Sequence, residues 1–255
     1  MIDIHSHILP GLDDGAHSLE ESVAMVRMAA AAGTTDMVAT PHANLEFHFD
    51  PEVVEALIAE VQAAAGNAVK IHYGCDFHLT LENIQDALER PEKYSINHRG
   101  YLLVEFSDLM IPKNSGDIFV HMLAAGLRPV VTHPERNHLL QARLESMESW
   151  VKMGCLLQVT ASSFLGRFGR RARTASRRLM DLGLVQVVAS DAHDTRHRAP
   201  VLDQAYRHLA HEYGEQTAVA LFIENPRAIL AGVPIPAGPM PVRRRSWYER
   251  LVSRK

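Results

Sequence analysis

The stretch MIDIHSHILPGLDDG, residues 1–15, crowds two histidines and three aspartates into the start of the chain. Ile2 to His5 reads as a β-strand that begins almost at once and runs into Ser6 and His7. Side chains two apart on a strand point the same way, so His5 and His7 can bite one ion. The counterpart lies far along the chain, where the apolar run Val185–Ala189 delivers Ser190-Asp191-Ala192-His193 with the same spacing. A fold that sets its first and last strands side by side makes one site of the two pairs.

Between them the chain alternates. Further strands are expected at Asp36–Thr40, Val69–Tyr73, Tyr101–Phe106, Pro129–Thr132 and Leu156–Thr160. Helices are expected over Ser18–Ala32, with Ser18 as N-cap and Glu21 three residues on, and over Pro51–Ala65 behind the N-cap Asp50. Others are expected at Leu81–Leu88, Ser115–Ala125, Leu139–Met153, Arg171–Leu182, Pro200–Glu212, Glu215–Glu224 and Pro226–Ala231. Seven strands, each followed by helix, imply an α/β fold with a parallel sheet. Their density suits a closed or nearly closed TIM-like β/α barrel better than an open doubly wound sheet. No glycine-rich phosphate loop follows any strand. Residues 1–235 are expected to form this single domain, and residues 236–255, Pro-containing and then basic, a tail outside it.

Composition narrows the function. The 255 residues carry 26 Lys plus Arg against 30 Asp plus Glu, a net charge of −4, which argues against a nucleic-acid binder. No apolar run approaches the roughly 18 residues of a transmembrane segment, and the start lacks the basic-then-apolar pattern of a secretory signal. Two cysteines, Cys75 and Cys155, are too few for a disulfide framework or a thiolate zinc site and fit a cytoplasmic protein. A homo-oligomer stays open, because an exposed helical face and an interface look alike in sequence.

In a β/α barrel the functional side chains gather at the C-terminal ends of the strands. Those ends carry His5, His7, His42, Asp76, Glu105, His133, Asp191 and His193, and the first loop adds Asp14. Burying so many imidazoles and carboxylates without partners would cost several kcal/mol each. One ion takes three or four protein ligands, so nine suggest two or three divalent ions. The mixture of imidazole and carboxylate suits Mn, Fe or Zn. Paired ions activate water and stabilise displacement at phosphorus, and Arg136 and Arg198, close behind these strand ends, suit a phosphate oxygen. The stretch GRFGRRARTASRR, Gly166 to Arg178, carries six arginines: a solvated rim, or a collar that attracts acidic, phosphorylated tails.

The segments His5-Ser6-His7 with Asp13-Asp14-Gly15, Thr40-Pro41-His42, Val104-Glu105-Phe106, HPERN (133–137) and SDAH (190–193) resemble the polymerase-and-histidinol-phosphatase (PHP) superfamily of metal-dependent phosphoesterases. Within it, HSHILPGLDDGAHSLEES, HPERN and NPRAILAG resemble the bacterial protein-tyrosine phosphatases of capsule and exopolysaccharide operons, the CpsB/YwqE type, over roughly residues 1–232. The resemblance implies a PHP-type (β/α)7 barrel, a three-ion site often filled by manganese, and hydrolysis of phosphotyrosine on the tail of a partner bacterial tyrosine kinase. Carried over by motif, His5, His7, Asp76 and Asp191 hold one ion; Asp76, Glu105 and His133 a second; Asp14, His42 and His193 a third. Arg136 and Arg198 grip the phosphoryl group. Many relatives have glutamate where this chain has Asp76, which leaves His78 as an alternative ligand, and Asp13 competes with Asp14. A small phosphomonoester such as histidinol phosphate is the alternative substrate. The cysteine route to phosphotyrosine is absent: it needs arginine six residues after the nucleophile, and Leu81 and Ala161 stand there.

Overall fold

Two parallel sheets organise residues 1–235, which the computed structural model describes. The first holds β1 (Ile2–Ser6), β2 (Asp36–Ala39) and β4 (Lys70–Tyr73), in that spatial order. The second runs through β3 (His42–Ala43), β5 (Asp76–His78), β6 (Tyr101–Glu105), β7 (Arg128–Thr132), β8 (Leu156–Thr160) and β9 (Val187–Ala189). Every pairing is parallel, as the strand–helix alternation requires.

Two short strands, β3 and β5, were not expected. They continue β2 and β4 after breaks at Thr40-Pro41 and Gly74-Cys75. Pro41 has no N–H to give a ladder. At Gly74 a Cβ would lie 2.6 Å from Val38 Cγ1, so the strands approach where only glycine fits. Beyond both breaks His42 pairs in register with Asp76, which sets the two side by side.

The helices follow local signals closely. Ser18 Oγ accepts from Glu21 N–H at 3.3 Å and opens the helix Leu19–Ala31. Asp50 caps Pro51–Ala65 as expected. The segment expected as Leu139–Met153 divides into His138–Gln141, capped by Asn137, and Leu144–Met153. The arginine-rich helix, Gly169–Asp181, begins two residues and ends one residue earlier than expected. After Glu215–Val219 the chain widens into a π-helical stretch, Ala220–Glu224. Among the described residues no helix is long and apolar enough to cross a membrane. The expected tail, residues 236–255, lies outside the described residues.

The apolar interior has two parts. A smaller cluster gathers Ile2, Ile4, Val38, Leu103, Val130 and Val187 from the strands with Ile229 and Leu230 of the last helix, Asn225–Ala231. A larger one packs helices against the strands, with Met25, Val61, Phe119, Trp150 and Leu179. Burying each such large side chain contributes about 1.5–3 kcal/mol. Along β1 the pairing with β2 shifts register between Asp3 and Ser6. Ile2 and Ile4 join the smaller cluster, whereas His5 and His7 face a polar mouth, as the alternation of side chains along a strand requires. The segment after β9 returns to β1: His7 N–H donates to Ala192 C=O at 2.8 Å and Asp191 N–H to His5 C=O at 2.9 Å.

Candidate metal centre

All nine ligand candidates meet at one mouth. His5 and His7 leave the end of β1 with Nε2 atoms 3.3 Å apart. His5 Nε2 lies 3.6 Å from Asp76 and 3.4 Å from Asp191. Glu105, ending β6, lies 3.4 Å from His133 Nε2 and 3.5 Å from His42 Nδ1. Asp14 reaches in from the first loop, 3.4 Å from both His42 and His193. Four overlapping groups each bring ligand atoms within 4.8 Å of one another: His7, Asp14, His42, His193; His42, Asp76, His78, Glu105; His5, His7, Asp76; and His5, His133, Asp191. This departs from the carried-over partition in several respects, and His7 also joins Asp14, His42 and His193. His133 groups with His5 and Asp191, while His42 and His78 join Asp76 and Glu105.

The donor set fits divalent cations. Asp76 Oδ1 and Oδ2 and His42 Nδ1 are buried and make no hydrogen bond, although Asp76 Oδ2 and His42 Nδ1 are only 3.1 Å apart. Buried carboxylates left this way are costly unless an opposite charge sits between them. Electrostatics say the same. Burial alone would lower His5, but Asp76 and Asp191 overcome it and raise the imidazole to about 9. Against burial, Asp14 and Asp76 raise His42 to about 11. Burial and nearby His193 drop His7 to about 4. Burial, then Asp76, pushes Glu105 up to about 7. Asp76 and Asp191 resist burial because His5 holds both well below the usual carboxylate range. Such mutual distortion marks charged groups gathered for a shared task.

The backbone is bent to serve the cluster. His133 (φ +33°) and Asp191 (φ +52°), just past β7 and β9, hold left-handed conformations that cost a non-glycine residue about 1–3 kcal/mol. In the first loop a Cβ at Gly15 would lie 2.2 Å from the His7 carbonyl oxygen, so Asp-Asp-Gly must end in glycine.

Asp13 and Asp14 part ways. Asp13 sits behind the ligands: its carboxylate accepts from His7 Nδ1 at 2.6 Å, Gly15 N–H at 2.9 Å and His42 N–H at 3.0 Å. Asp14, its side chain 56% exposed, is the one that faces the imidazoles. Arg136 and Arg198 converge on a single atom, Asp191 Oδ2, Arg198 at 2.6 Å.

Sequence reasoning missed two polar supports. Gln158, on β8, holds Oε1 3.0 Å from His5 Nδ1. β8 was the one strand without an ionisable residue at its end, and a glutamine inside LLQVT was the available signal. Glu135 is fully buried and accepts from Thr160 N–H at 3.1 Å and Ser163 Oγ at 2.6 Å, tying the loop after β7 to the end of β8. His78, raised only as an alternative to Asp76, stands beside it and lies 2.5 Å from Glu105.

A parallel α/β fold whose strand ends present overlapping imidazole–carboxylate groups beside two guanidiniums defines a protein built to gather divalent cations next to an anion. The chain belongs to the CpsB/CapC family of capsular polysaccharide synthesis, whose model matches residues 1–231. It is 32% identical over 253 residues to the tyrosine-protein phosphatase YwqE of Bacillus subtilis, covering 97% of this chain and 99% of that one. It is 32% identical over 239 residues to the tyrosine-protein phosphatase CpsB of Streptococcus pneumoniae, covering 90% and 98%. A solved structure described under YwqE and CpsB as unique metal-dependent tyrosine phosphatases superposes with TM-score 0.87 at 30% identity, covering 96% of this chain and all of that one. A phosphotriesterase homology protein from Escherichia coli shares the fold alone, with TM-score 0.59 at 10% identity.

Proposed function

We propose that the protein is a cytoplasmic, metal-dependent protein-tyrosine phosphatase that hydrolyses phosphotyrosine on the tail of a bacterial tyrosine kinase controlling capsule or exopolysaccharide synthesis. The observation that carries this reading is the convergence of Arg136 and Arg198 on Asp191 Oδ2, at the lip of the four ligand groups. Two guanidiniums around one carboxylate oxygen make a grip for phosphoryl oxygens. The family and its named relatives support the substrate class.

Two or three ions, with manganese first and iron or zinc compatible, would be held by His5, His7, Asp14, His42, Asp76, Glu105, His133, Asp191 and His193, with His78 beside the second group. Bound there, divalent cations supply a water of lowered pKa and offset charge on the phosphoryl group. The chain's own residues do the rest. Arg136 and Arg198 orient the phosphate. Asp13 and Gln158 fix the rings of His7 and His5 so that each Nε2 faces the centre. Both thiols are buried and pushed up, Cys155 to about 12, so no thiolate competes for phosphorus. The ring-closing bonds between β1 and the segment after β9 support counting the nine segments as seven β/α units of a PHP-type barrel in one domain.

The test compares catalytic efficiency on a phosphotyrosine peptide and on histidinol phosphate, before and after chelation. Activity on the peptide should vanish with chelator and return with manganese. A large preference for histidinol phosphate would reject the substrate, and full activity in verified metal-free protein would reject the mechanism.

A further inference from the structure

Beside the metal mouth lies a cleft of about 360 Å3 that nothing above uses. Glu105, His133 and Arg136 form its inner wall, so it opens directly onto the phosphate grip. Phe168 and Leu140 give it an apolar side, and Arg171 stands at its edge. Phe168 is half-buried in the turn that starts the helix Gly169–Asp181, a position where capping residues are usual, and it offers that helix no side-chain cap. Its ring has another partner: the guanidinium carbon of Arg136 lies 4.3 Å from the ring centroid. Arg136 therefore spans two environments. One edge of its guanidinium meets Asp191 at the anion grip, and one face meets Phe168 in the cleft.

We propose that this cleft seats the aromatic ring of an aryl phosphate, and that Phe168 is the residue that selects it. The assignment deepens the phosphotyrosine reading and rests on it. A phosphoryl group held by Arg136 leaves its ester substituent next to the wall that Arg136 shares with Phe168. That wall is apolar and aromatic on one side and cationic on the other. Aromatic rings meet one another edge-on or offset, and a guanidinium face attracts an aromatic ring. A seryl or threonyl ester offers neither contact. The cleft lies within the usual size range of small-ligand sites, so a ring fits with room for the attached chain. Arg136 then couples the two ends of the substrate, since the side chain that orients phosphate also flanks the ring.

Binding of two non-hydrolysable probes to the manganese-loaded protein tests this without turnover. Calorimetry should show phenylphosphonate binding about tenfold tighter than methylphosphonate, in line with a ring contact added to area burial. Phe168→Ala should bring the two within about twofold by weakening only phenylphosphonate, and Phe168→Trp should keep the preference. Equal weakening of both probes in Phe168→Ala would make Phe168 structural, and no preference in the wild type would empty the cleft of its role; either result overturns the assignment. Peptide kinetics separate it from the parent reading. Ring preference without hydrolysis of a phosphotyrosine peptide would retain the cleft and reject the phosphatase substrate. Hydrolysis without ring preference would do the reverse. In the first kinetic comparison, Phe168→Ala should raise KM for the phosphotyrosine peptide and leave kcat within about twofold.

Discussion

The Nδ1 atom of His5 lies 3.0 Å from Oε1 of Gln158, both fully buried. An amide oxygen accepts and cannot donate, so Nδ1 must carry a proton, and Nε2, facing Asp76 and Asp191, is the nitrogen that would give up its proton to bind a cation. The bond spans from β1 to β8 and sets the tautomer of a candidate ligand. Removing such a support costs about 10- to 100-fold in metal affinity. Gln158→Leu, similar in size, should show that loss in a manganese titration while retaining a cooperative melt. Unchanged affinity would reduce the pair to packing.

Asp13 and Asp14 should separate in the same measurements. Asp14 is exposed and faces His42 and His193, so Asp14→Asn should lower metal stoichiometry or affinity with little change in melting temperature. Asp13 carries three hydrogen bonds from a buried imidazole and two backbone amides. Asp13→Ala strands those donors, at about 3 kcal/mol, or roughly 6–12 °C of melting temperature for a domain of this size. Calorimetry with elemental analysis checks both. The reverse pattern would exchange their roles.

Much of this was legible in the chain. His5, His7, His133, Asp191 and His193 follow apolar runs short enough to be parallel strands, and a residue just past such a run lands at the strand-end mouth. The Ser18 and Asp50 caps are local chemistry and were placed correctly. What stayed hidden depends on long-range geometry. The breaks at Pro41 and Gly74 move His42 and Asp76 from loops onto paired strands, and Gly74 is required because Val38, on the neighbouring strand, and Thr40 crowd it. The register shift in β1 between Asp3 and Ser6 cannot be read from IDIHS, although its alternation does send Ile4 and His5 to opposite faces as found. Gln158 carries no charge, so a search for ionisable strand ends passes over it.

Metal-free protein should have a distinctive pH profile. A raised imidazole pKa contributes stability that is fully present below the ordinary 6.5 and is lost as pH rises through the folded value, about 9 for His5 and about 11 for His42. Asp76 and Asp191, held low, contribute above 3.8 and lose it as pH falls. The metal-free melting temperature should therefore decline between about pH 6.5 and 11. With manganese bound these imidazoles are already neutral, so that decline should shrink, and apparent metal affinity should rise with pH as proton competition fades. Thermal melts of both forms across this range decide the matter. Parallel curves would mean that the cluster holds no ion through these rings.

The arginine-rich helix Gly169–Asp181 begins at the cleft and turns Arg170, Arg173 and Arg178 to solvent, while Arg177 pairs with Glu212 at 3.0 Å. A row of exposed guanidiniums leading away from the proposed phosphate grip should draw in acidic residues flanking a phosphotyrosine, and such steering is screened by salt. Replacing Arg170, Arg173 and Arg178 with glutamine leaves the Arg177 pair intact and touches no ligand candidate. KM for an acidic phosphotyrosine peptide should then rise about tenfold at low ionic strength, with kcat unchanged. The gap should close in about 0.5 M salt, where the screening length falls below the spacing of the contacts. For a small aryl phosphate without acidic neighbours the substitutions should change nothing. An equal effect on both substrates would assign the arginines to the fold rather than to a docking face.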